Sequence, residues 1–174
     1  MKKYFLLLTF AALFQSCNKK DELLTFRFDS SVDFTVPSAA GVNLPVSIPT
    51  PDVQSGAQQS FQNNNTRADL VKNVVLEEIE LSITNPPGQD FGFLKEVHLF
   101  ISASGLPERE IAYATNIPEN AGTKLALETT DVALDEYVKQ STYDIRTEVV
   151  IREAFFQDVD ITADMVFRVT ADIL

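Results

Sequence analysis

Val159-Asp160-Ile161-Thr162-Ala163-Asp164-Met165-Val166-Phe167-Arg168-Val169-Thr170-Ala171-Asp172-Ile173 is the stretch that decides the fold. Every odd position in it is apolar: Val159, Ile161, Ala163, Met165, Phe167, Val169, Ala171 and Ile173. Asp160, Thr162, Asp164, Arg168, Thr170 and Asp172 alternate with them. Successive side chains leave a strand on opposite faces, whereas a helix repeats every 3.6 residues. This alternation predicts a strand with one face in a core and the other in water.

The same period recurs upstream. From Thr25 to Val36 the even positions are Phe26, Phe28, Ser30, Val32, Phe34 and Val36. They predict one half-buried strand, or two meeting at a bulge near Asp29-Ser30-Ser31. Val42, Leu44, Val46 and Ile48 alternate too, but Pro45 and Pro49 cannot donate to a ladder, so this segment is an edge strand at best. Val75, Ile79, Leu81 and Ile83 share a face of a strand closed by the turn signal Asn85-Pro86-Pro87-Gly88. Leu94, Val97, Leu99 and Ile101 form the next, stopped near Ser104-Gly105; Ile111 to Thr115 and Lys124 to Leu127 are shorter; Tyr143, Ile145, Val149 and Ile151 alternate again.

Between the strands, Thr50 to Thr66 reads as a polar loop leading into one or two helical turns at Thr66–Lys72, capped by Asn65 or Thr66. Asp131 to Lys139 reads as a short helix with Asp131 as cap and Leu134 and Val138 on one face. About seven to eight strands with closely spaced turns and no βαβ rhythm predict an all-β, antiparallel sandwich. The layout resembles immunoglobulin-like sandwiches, with one or two short crossover helices. A barrel or a jelly roll is also compatible with the alternation. Ile83-Thr84-Asn85-Pro86, an apolar strand ending in Asn-Pro, also resembles the water-stress (LEA14-like) domain.

The start of the chain has a different character. Met1-Lys2-Lys3 is cationic, Tyr4 to Phe14 is apolar except for Thr9, and Gln15-Ser16 precede Cys17, the single cysteine. Asn18-Lys19-Lys20-Asp21-Glu22 follow. A positive start, a short apolar run and a small residue before the cut are the parts of a secretory signal peptide. With cysteine directly after the cut, the stretch resembles a bacterial lipoprotein signal of the Bacteroidota type. In that family the thiol is diacylated and the chain is cleaved before it. Phe14 and Gln15 depart from the usual Leu and small residue of the lipobox, while Ser16 matches it.

The resemblance implies 1–16 as a cleaved signal, 17–24 as a lipidated tether with lipid on Cys17, and 25–174 as a single sandwich domain. It further implies a cell-envelope protein held in the outer membrane by its lipid, periplasmic or surface-exposed, since Asn18 stands where Asp would retain an enterobacterial lipoprotein at the inner membrane. The 11-residue apolar run is too short to span a bilayer, which needs about 20 residues.

Charge and residue inventory exclude several functions. The chain carries 14 Lys+Arg against 25 Asp+Glu, a net −11, and loss of Lys2 and Lys3 with the signal would leave −13. Nucleic acid and anionic lipid repel such a body, so neither is an expected partner. With Cys17 lipidated no thiol remains for a disulfide, a zinc site or a nucleophile.

His98 is the only histidine and lies on the face opposite Val97, Leu99 and Ile101, which predicts a solvated strand residue without a catalytic partner. Glu77, Glu78 and Glu80, with Asp158, Asp160 and Asp164, are the candidate Ca²⁺ ligands or glycosidase carboxylates. Their alternation on strands is equally what a solvent face requires. Phe91, Phe93, Phe155 and Phe156 sit at loop-to-strand junctions, as plugs of the core or as anchors for a partner. No phosphate-binding glycine loop, nucleophile elbow or His-Glu-x-x-His motif occurs, so no cofactor or catalytic residue is assigned. The sequence favours a non-enzymatic module that binds or scaffolds an envelope protein. The alternative is an envelope hydrolase, or a Ca²⁺- or glycan-binding module using the surface carboxylates.

Overall fold

A computed structural model of the chain describes residues 23–173. Among the described residues there are nine strands: β1 (Leu24–Val36), β2 (Pro45–Gln54), β3 (Val71–Asn85), β4 (Leu94–Ala103), β5 (Leu106–Ala114), β6 (Lys124–Ala126), β7 (Glu128–Thr129), β8 (Thr142–Ile151) and β9 (Val159–Ala171). Two short helices join them, α1 (Ala57–Asn63) and α2 (Asp135–Val138). One sheet has the order β1-β9-β3-β6 and the other β2-β8-β4-β5-β7, with every ladder antiparallel.

The order follows from folding the chain on itself at the β4–β5 hairpin. Its two arms then lie side by side as β3 with β6, β2 with β8 and β1 with β9. Successive arms alternate between sheets, which is a jelly roll. The immunoglobulin-like expectation does not match this order. There the first two strands are neighbours in one sheet, whereas β1 and β2 here lie in different sheets.

β9 is an inner strand, and its alternation holds from Val159 to Ala171, where all seven odd-numbered side chains are at most 1% exposed. Ile173 lies beyond the strand and is exposed. β1 pairs with β9 in unbroken register from Leu24↔Ala171 to Val36↔Val159, so no bulge interrupts it. β3 does contain bulges. The register slips between Leu76 and Glu78, so Val74 and Leu76 face the core before that point and Ile79 and Leu81 after it. Val75 therefore does not share the core face expected of it, because one extra residue in a strand reverses every later side chain.

The polar stretch 50–66 is more ordered than its composition suggests. β2 runs on to Gln54, and α1 follows with Phe61 fully buried. The turns expected at 66–72 reduce to a single 3₁₀ turn, Ala68–Leu70, preceded by Arg67 without a side-chain cap. Thr66 instead donates its hydroxyl to the Asp172 carbonyl at 2.9 Å. α2 starts later than expected and lacks a side-chain cap, yet Leu134 and Val138 both enter the core.

The ladders sort the loops into two sets. The chain enters at Leu23 beside the crossover 55–70, the turn 104–105 and the segment 130–141. At the opposite end of the sandwich lie the loops 37–44, 86–93, 115–123 and 152–158.

Candidate functional site

Cys17 lies outside the described residues. The remaining candidates fall on three surfaces.

On the outer face of the β8-β4-β5-β7 sheet, the register sets His98 between Tyr113 of β5 and Glu148 of β8. His98 is half-buried rather than fully solvated. Its Nδ1 lies 2.6 Å from Glu110 and its Nε2 3.8 Å from Glu96, and the Tyr113 ring stacks beside it at 6.1 Å. Next along β4, Phe100 lies under the Arg146 guanidinium, 4.0 Å from the ring centroid. Arg146 grips Glu108 with two bonds of 2.9 and 2.8 Å and Glu148 with one of 3.0 Å. Donation from Arg146 holds the Glu108 carboxyl below its usual range. The hydrogen bond between Tyr113 and Glu128 pushes the phenol up. These groups satisfy one another across strands, which is the chemistry of a stabilised sheet face. The Arg146–Phe100 stack escapes a sequence reading because its partners are dozens of residues apart and only the register brings them together.

On the outer face of the other sheet, Glu77, Glu78, Glu80 and Asp164 line one open hollow of about 470 Å³. Two of the four are already engaged. Glu77 is paired with Arg27 through Nε and Nη2 and lies 3.5 Å from Arg168, and Glu80 is paired with Lys124. The bond from Arg27 draws the Glu77 carboxyl below its ordinary range.

Asp160 and Asp158 are elsewhere. Asp160 accepts from Thr35 at 2.7 Å and from Asn85 at 3.3 Å, and Asp158 accepts from the Ser38 amide at 2.8 Å and its hydroxyl at 2.9 Å. The six carboxylates thus do not converge. Among the described residues no group of three or more His, Cys, Asp or Glu is placed to hold a metal ion.

The third surface is the loop end opposite Leu23. Arg152 clips three loops together: its amide donates to Phe93 O at 2.7 Å and its guanidinium to Gly92 O and Ile117 O. Gly92 is needed there, because a Cβ would stand 2.1 Å from the Glu119 carbonyl oxygen. Phe91 and Phe93 are buried, and Phe155 packs edge-on against Phe93 at 4.9 Å, so these three plug the core. Phe156 does not: its ring is 97% exposed. Leu44, 61% exposed, lies at the same end. Arg152 gives no signal in sequence, since its partners are all backbone carbonyls.

No family model and no curated protein matches the chain. Among solved structures, the chain is similar to a structure described as decameric BFDV capsid protein, with a TM-score of 0.40 and 9% identity over 86% of this chain and 99% of that one. It is also similar to Desmodium yellow mottle tymovirus, at 8% identity over 88% and 89% of the two chains and a TM-score of 0.30. A structure of turnip yellow mosaic virus at 100 K aligns at 10% identity over 87% and 96%, with a TM-score of 0.29.

Proposed function

We propose that this chain is a lipid-anchored protein of the bacterial cell envelope, held in the outer membrane through Cys17, whose sandwich is a non-enzymatic module for binding or scaffolding another envelope protein. The observation that supports this reading is the placement of Phe156. Its exposed ring sits on a loop end braced by Arg152, at the opposite end of the sandwich from Leu23, where the tether would join. An exposed aromatic group is the kind of residue that concentrates binding energy. An anchor at Cys17 leaves that end unobstructed. Two acyl chains give stable attachment where one gives only reversible binding.

Two measurements test the reading. Labelled palmitate is incorporated by the wild-type chain and not by Cys17→Ser; equal labelling, or none in either, overturns the anchor. A photo-crosslinking side chain at Phe156 forms one discrete adduct with a protein in intact envelopes, whereas the same group at the exposed Arg109 of β5 does not. Identical adduct patterns at the two positions overturn the binding end.

A further inference from the structure

We propose that β1 pairs edge to edge with β1 of a second copy of this chain, antiparallel about a two-fold axis at Ser30, merging two four-stranded sheets into one of eight strands. The argument begins with how the fold treats its edges. The sandwich has four edge strands: β1, β6, β2 and β7. An exposed edge offers unpaired N–H and C=O groups to any passing strand, and proteins blunt it by shortness, proline or bulges. β6 has 3 residues and β7 has 2. β2 carries Pro45, Pro49 and Pro51 and a register shift between Thr50 and Val53. β1 is neither short, bulged nor interrupted by proline, being 13 residues in unbroken register, and its one blunting device is the charge of Arg27, Asp29 and Asp33. Among the described residues its only backbone partner is β9.

What β1 is built to meet is written in its order of residues, Leu-Thr-Phe-Arg-Phe-Asp-Ser-Ser-Val-Asp-Phe-Thr-Val. Read from Ser30 outward, the two halves mirror each other chemically. An antiparallel copy centred there sets Leu24 against Val36, Thr25 against Thr35, Phe26 against Phe34 and Phe28 against Val32. It sets Arg27 against Asp33 twice, once on each side of the axis. This register also keeps faces matched, because each residue meets one of the same parity, whereas a one-residue slip would turn core-facing groups toward solvent-facing ones. Opposite charges across a strand pair stabilise it, and like charges destabilise it. Within one copy Arg27 pairs with Glu77 of β3 and Asp33 accepts from Thr162 of β9 at 2.6 Å, so in the dimer the two side chains turn outward across the β1 edge to meet their symmetric partners. Self-complementarity of one patch about a two-fold axis is the mark of an isologous contact, which a strand from an unrelated protein has no reason to satisfy. The axis runs along the sheet normal, so the two copies of Leu24 lie at opposite ends of the joined strands and at one level along that axis. The pairing does not depend on the lipid anchor.

The test is sedimentation equilibrium of the full chain in non-ionic detergent. The wild type is expected to dimerise with rising concentration. Arg27→Asp faces Asp33 with a like charge at both symmetric positions and should raise the dissociation constant about tenfold. Arg27→Asp with Asp33→Arg restores opposite charges only if the partner is the same chain, and should return the constant to within about threefold of wild type. A monomer at all concentrations, indifference to Arg27→Asp, or a double variant no better than the single overturns the pairing. A nitroxide label gives a reading that does not require a charge change: labels at Ser31 should lie close together across the axis, and labels at Thr25 roughly 30 Å apart. Equal separations at the two sites overturn the register.

Discussion

β1 and β2 are edge strands at the same flank of the sandwich, one in each sheet, and they differ in almost every respect. β1 sends Phe28, Val32, Phe34 and Val36 into the core, and Phe28 stacks on Phe167 with ring centroids 5.0 Å apart. β2 buries only Val53; Val46 and Ile48 are half-covered, and prolines take three of its ten positions. β1 is thus a wall of the core and β2 a cover laid over it. Where a strand contributes little burial, proline can be tolerated and the edge is blunted. Where the strand must pack well, regularity is kept and the edge stays open.

The largest expected effect tests that division directly. Phe28→Ala should cost about 3–5 kcal/mol, as large-to-small changes in a core do. Ile48→Ala, on a half-covered side chain, should cost about 1 kcal/mol by area alone. Urea unfolding of the two variants measures both, and equal losses would erase the distinction between wall and cover. A second contrast uses the charged faces outside these edges. Arg146→Leu removes the stack on Phe100 and three hydrogen bonds to Glu108 and Glu148, and should cost about 1–2 kcal/mol. Arg27→Leu removes an open pair from a solvated face and should leave the melting temperature of the single copy nearly unchanged, as exposed ion pairs do.

Thr147 offers a smaller effect of opposite sign. Its side chain is fully buried in β8, and Oγ1 has no hydrogen-bond partner among the described residues. A buried hydroxyl without a partner costs free energy that a methyl group of like shape does not. Thr147→Val should therefore stabilise the chain by about 1 kcal/mol, seen as a higher urea midpoint with unchanged slope. A loss of stability would mean that the hydroxyl is satisfied.

How far the sequence could be read depended on whether a contact follows from one strand or from two. β9 and β1 were legible because alternation within a strand is a local property, and both hold their period from end to end. Val75 falls on the other face of β3 from Ile79 and Leu81 because a bulge changes the count without leaving a mark in composition. The helix that buries Phe61 is not legible in the polar stretch 50–66, because one apolar residue in a polar helix carries no period at all. The sandwich followed from the strands, but the nesting that makes it a jelly roll is a fact about pairing, and pairing is long-range. The surfaces divide in the same way. The face of His98 follows from the alternation of β4 alone, whereas its bond to Glu110 joins neighbouring strands and leaves no trace in either one. The six carboxylates looked like one group only because the chain lists them in two short runs.

The smallest expected effect compares the two charged faces by pH. Glu108 beside Arg146, and Glu77 beside Arg27, both titrate below the ordinary glutamate range in the folded chain. A depressed folded value means that the unfolded chain binds the proton first as acid is added. The stabilisation is therefore complete above the unfolded value and is lost as pH falls through the folded one, from roughly pH 5 downward. Asp158, held down by the Ser38 amide, adds in the same direction. The two faces should respond differently to losing their arginine. Arg146→Leu strips Glu108 of the cation that depresses it, so its share of the acid dependence should vanish. Arg27→Leu leaves Glu77 with Arg168 at 3.5 Å, so part of its share should persist. Urea midpoints followed between roughly pH 6 and pH 3 should flatten more for Arg146→Leu than for Arg27→Leu. The reverse order would mean that Arg27, and not the Arg146 clamp, holds the more strongly perturbed carboxylate, and that the face beside the open β1 edge is the better organised of the two.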